Sequence, residues 1–90
     1  MKTSEFAPVM ITPKQLAEVF VVQGIENLYD EELAGQLGTS VAALNMMREA
    51  MFKGILLPPW LASNVSRLLM EKAPLLETTK RVMEGEHGGI

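Results

Sequence analysis

Ninety residues with 48% apolar and 21% charged side chains make one small globular domain rather than a disordered chain. Eleven acids against eight bases leave a net charge of −3, so any nucleic-acid binding would need a locally basic surface. There is no cysteine, which excludes disulfides and thiolate metal sites and suits a cytoplasmic protein.

The N-terminus has Lys2 as its early cation and no apolar core before a small-residue cleavage site, so it does not read as a signal peptide. No apolar run reaches the ~20 residues of a membrane helix, and no membrane partner is expected. Residues 1–11 are expected to form an arm. Thr12-Pro13-Lys14-Gln15 then places a hydroxyl at an N-cap, proline at the first helical position and Gln three residues on, a capping box. Leu16, Val19, Phe20 and Gln23 recur at helical spacing, and Gly24 is the expected stop. Val19 to Val22 alone would read as a strand, but the cap and the glycine favour helix.

A second helix is expected from Tyr29 or Asp30 to Leu37, with Asp30, Glu31 and Glu32 at the positive end of its dipole. Gly38 supplies a turn. Thr39 or Ser40 caps a third helix expected to reach Met51 or Lys53 before Gly54. Ile55 to Pro59 reads as an extended connector. Pro59 opens a fourth helix with an apolar stripe at Trp60 or Leu61, Val65, Leu68 and Leu69, and Pro74 breaks it near Ala73. A fifth segment, Leu75 to Glu84, repeats the pattern through Leu76, Thr79, Val82 and Met83, and residues 85–90 read as a flexible glycine-rich tail. The fold class is therefore all-α: a single four- or five-helix domain over residues 12–84, ending in a C-terminal helical pair.

Two short helices that cross steeply need a small residue where they meet, and Ala34 supplies it. Gly38 makes the turn, and Leu33, Leu37, Leu44 and Met47 close the shared core. This arrangement, about residues 30–53, resembles the helix-turn-helix of small phage and mobile-element regulators, with the match carried by residues 30–49. The resemblance implies a DNA-binding transcriptional regulator that acts as a homodimer on double-stranded DNA. The residues implied at the groove are Ser40, Val41, Ala42, Asn45, Met46 and Glu49, with Asn45 suited to adenine and Val41 or Ala42 to a thymine methyl. Arg48 and Lys53 are the cations placed for phosphate. Thr39, where an aliphatic residue is usual, departs from the pattern. So does the charge: residues 1–54 hold four cations (Lys2, Lys14, Arg48, Lys53) against seven acids (Glu5, Glu18, Glu26, Asp30, Glu31, Glu32, Glu49).

Leu61, Val65, Leu68, Leu69, Leu75 and Leu76 exceed the needs of a small core and are the expected dimer interface. Met47, Met51 and Trp60 are expected in the core, with Met46 as the exposed candidate. Arg67, Lys72, Lys80 and Arg81 are matched by Glu71, Glu77, Glu84 and Glu86, a solvated face. Neither a phosphate loop, a metal-ligand spacing nor a nucleophile paired with His87 is present, so no catalytic residue, metal or cofactor is expected. Two alternatives stand beside the regulator. One is a phage-type interaction module or inhibitor that uses the same scaffold against a host protein, favoured by the acidic charge and the methionine-bearing third helix. The other is a small-terminase-like packaging subunit, whose opening Ile11 to Gln15 followed by Phe20-Val21 resembles.

Overall fold

Local caps account for most element boundaries. The computed structural model describes residues 7–88, with side chains described as far as residue 82. Strand β1 (Val9–Ile11) leads into helix α1 (Pro13–Glu26), followed by α2 (Asp30–Leu37), α3 (Val41–Glu49), strand β2 (Ile55–Leu57), α4 (Pro59–Glu71) and α5 (Ala73–Gly88). The chain is mostly helical with a small two-stranded sheet.

The Thr12 box forms as expected. Its hydroxyl accepts from the Gln15 backbone N–H at 3.2 Å, while the Gln15 side chain accepts from the Thr12 N–H at 2.9 Å. Gly24 does not end α1. The helix runs on to Glu26 and stops where Asn27 turns left-handed at φ 57°, a conformation asparagine tolerates better than most residues. The Leu28 N–H then closes the end by donating to the Gln23 carbonyl at 3.0 Å.

Glu32 reaches back to the Tyr29 N–H at 2.8 Å to start α2, and Gly38 ends it at φ 70°. The Ser40 hydroxyl accepts from the Ala43 N–H at 3.1 Å and starts α3. This helix ends at Glu49, earlier than Met51 or Lys53. The chain folds back through a turn in which the Gly54 N–H donates to the Ala50 carbonyl at 2.8 Å. Gly54 has φ 87°, and a Cβ there would lie 2.7 Å from the Ile11 carbonyl oxygen, so the turn exists to bring the chain alongside β1.

The sheet is the largest departure from the all-α expectation. The expected connector and the end of the expected arm pair antiparallel, with Val9 opposite Leu57, Met10 opposite Leu56 and Ile11 opposite Ile55. Ile11 and Leu57 point into the core, while Met10 and Leu56 point out. Pro59 opens α4 as expected. The corner falls at Lys72, and Pro74 sits in the first turn of α5, where its missing N–H costs nothing. Lys72 holds the corner to the end of α1 through Glu26, Nζ to Oε2 2.7 Å. The fifth helix continues to Gly88, so residues 85–88 are helical rather than a tail. Gly89 and Ile90 lie outside the described residues.

One core joins all but the last helix. Ile11, Leu16, Val19, Leu33, Leu37, Leu44, Met47 and Val65 are buried in it, and Met51 packs against it half-buried. Three of the expected interface residues belong here too: Leu61, Val65 and Leu68 are 3%, 0% and 5% exposed. Leu69 packs against the same core, and Leu75 and Leu76 are half-buried. The correction has a simple cause. Helix α4 is central, contacted by α1, α2, α5 and β1, so its leucines are needed inside one chain. Trp60, expected in the core, is instead 53% exposed at the start of that helix.

Candidate interaction face on the third helix

Helix α3 has two flanks of different character. On one, Arg48 is half-buried and hydrogen-bonded to polar partners. Its Nη2 donates to Asp30 Oδ1 at 2.9 Å and to Gln23 Oε1 at 3.1 Å, and its Nη1 donates to Asn45 Oδ1 at 2.7 Å. The guanidinium lies over the Phe20 ring, 4.7 Å from its centroid. Gln23 also donates from Nε2 to Asp30 Oδ1 at 2.7 Å and to the Leu28 carbonyl at 3.2 Å. These bonds tie α1, α2 and α3 together. Hydrogen bonds from Gln23 and then Arg48 hold the Asp30 carboxyl below the usual carboxylate range.

Arg48, expected at phosphate, is paired with Asp30 in the chain and keeps 36% of its side chain exposed. Lys53 is exposed in the turn after the helix. Ser40 is exposed but used as a cap, and Val41 is half-buried against the core. The remaining expected groove residues, Ala42, Asn45, Met46 and Glu49, are exposed and recur at the spacing of one helical face. The structure therefore brings together four of the eight residues expected at DNA as one bare stripe. That stripe carries an acid and no cation.

Met46, 60% exposed, stands between two open clefts that the sequence alone did not disclose. The larger, about 720 Å³, is lined by Met10, Met46, Glu49, Lys53, Gly54 and Leu56 among others. The smaller, about 270 Å³, lies between Met46, Thr39, Leu56 and Trp60. Met10 and Leu56 enter only through the strand pairing, so no local pattern marks them. Trp60, a large apolar residue, was expected in the core, so its place on the surface was not legible either. A third cleft, about 490 Å³ and polar, lies between α2 and α4. There Asn64 donates to the Leu37 carbonyl at 3.0 Å and accepts from Arg67.

Among the described residues, no group of three or more His, Cys, Asp or Glu is placed to hold a metal. The His87 side chain lies outside those described. No described helix is long and apolar enough to cross a membrane. No protein-family model matches the chain, and no curated protein or solved structure is significantly similar to it.

Proposed function

We propose that the chain is a protein-interaction module whose contact surface is the exposed stripe of α3, carried on a helix-turn-helix scaffold. The scaffold is supported by the eight- and nine-residue helices α2 and α3, the left-handed Gly38 between them and the buried Ala34. The observation that carries the function is the pairing of Arg48 with Asp30 and Gln23 over the Phe20 ring, which offsets its charge within the chain. Phosphate neutralisation supplies most of the affinity of a DNA-binding surface. With Arg48 paired, Lys53 is the cation left on or beside α3, and Glu49 opposes it. An apolar side chain such as Met46 on an exposed stripe is suited to a protein partner.

A DNA-binding transcriptional regulator acting as a homodimer is the second reading. It is favoured by the exposure of the N-cap Ser40 and of Ala42 and Asn45 in α3 itself, since the N-terminal part of the second helix reads bases in helix-turn-helix proteins. Fluorescence anisotropy with a labelled random duplex, between about 50 and 200 mM salt, separates the two. Weak binding with a shallow salt slope is expected. Tight binding with a steep slope, relaxed at one base position by Asn45→Ala, would overturn the interaction module in favour of the regulator.

A further inference from the structure

Resting on the interaction reading, we infer that the occupant of the α3 face is a second copy of this chain. The face is larger than α3 itself. Met10 and Leu56, a cross-strand pair on the outer side of the sheet, adjoin Met46, and Trp60 lies beyond it. Their exposures are 53%, 58%, 60% and 53%. At roughly 200 Å² for a full side chain of this size, the four present on the order of 450 Å² of apolar surface. That matches the largest bare patch of a typical monomer, about 300–600 Å². With the charged rim it stays below the ~800 Å² per partner of a standard interface, the size of a reversible contact. The other exposed large apolar side chains, Val9, Val21, Ile25, Tyr29, Phe52, Met70 and Val82, line neither cleft.

The rim charges argue for a copy rather than a foreign protein. Glu49 and Lys53 both line the larger cleft, and neither belongs to an ion pair among the described residues. In a two-fold contact, residue i of one protomer meets j of its partner while j meets i. One acid and one base on the rim of a single apolar face then form two reciprocal pairs. A foreign partner requires no such balance. Such a dimer covers the stripe that a major groove would otherwise take.

Sedimentation equilibrium of the full chain from micromolar to millimolar concentration tests the inference. A reversible dimer is expected, lost in Met46→Asp with the thermal midpoint of the dilute protein unchanged. Glu49→Lys and Lys53→Glu should each weaken the dimer about tenfold by placing like charges opposite one another, and the double exchange should restore it. A monomer at every concentration would overturn the inference, as would a dimer indifferent to Met46→Asp and to the charge exchange. The duplex titration judges the broader reading separately. A monomer that also ignores DNA removes the second copy but leaves a foreign protein as the occupant.

Discussion

Leu56 and Leu61 are the same residue type on adjacent elements, and they meet opposite fates. Leu61, on α4, is 3% exposed, whereas Leu56, on β2, is 58% exposed. The α4 leucines look surplus by count but are used up by the four elements packed on that helix. The sheet has one covered side only, so its outward residues stay bare. Apolar content alone therefore does not locate an interface. What matters is how many neighbours an element has.

The sharpest way to break that comparison is to truncate both leucines. Leu61→Ala should cost about 2–5 kcal/mol in chemical denaturation, through lost burial and the cavity left behind. Leu56→Ala, measured on dilute protein, should stay within about 0.5 kcal/mol. Equal losses would show that the β2 face is not bare in solution.

The glycines form a second pair. Gly54 holds φ 87° with the Ile11 carbonyl in the way of any Cβ, so Gly54→Ala should destabilise by more than ~1–2 kcal/mol. Gly24 lies inside α1 with nothing within 4 Å of an added Cβ, and Gly24→Ala should stabilise by roughly 0.5–1 kcal/mol. Thermal midpoints that move together would contradict the different roles assigned to the two glycines.

The smallest effect belongs to the polar flank of α3. Because Asp30 has a lowered pKa in the folded chain, the unfolded chain takes up its proton first as pH falls. The contribution of this network is fully present above the ordinary carboxylate value of roughly 4 and is lost on acidification through the lower folded value. A thermal midpoint followed against pH should therefore fall less steeply on the acid side in Asp30→Asn than in the parent. An acid limb of unchanged slope would count against the network.

Helices and their starts were legible because the signals are local. Thr12, Pro13, Ser40 and Pro59 act within a turn of themselves, and each does what its chemistry suggests. Gly24 misled because a glycine can be tolerated within a helix when another residue, here Asn27, ends it. The strands escaped notice because three residues cannot display an alternation, and their pairing joins distant parts of the chain. Arg48 was legible as a cation but not as a committed one. Its partners Gln23 and Asp30 lie on two other helices, and only their packing brings them to it. Met10, Leu56 and Trp60 were unreadable as one face for the same reason.

The pairing of β1 with β2 also bears on the order in which the molecule assembles. The α2–α3 unit is made of contacts between close neighbours in sequence, which form quickly. Joining Met10 to Leu56 requires closing the whole loop that contains α1, α2 and α3, and that closure carries an entropic cost before any contact rewards it. The apolar face made by Met10, Leu56 and Met46 is therefore expected among the last features to appear. A chain that has not closed this loop lacks the face, so the proposed recognition through it would select completed molecules.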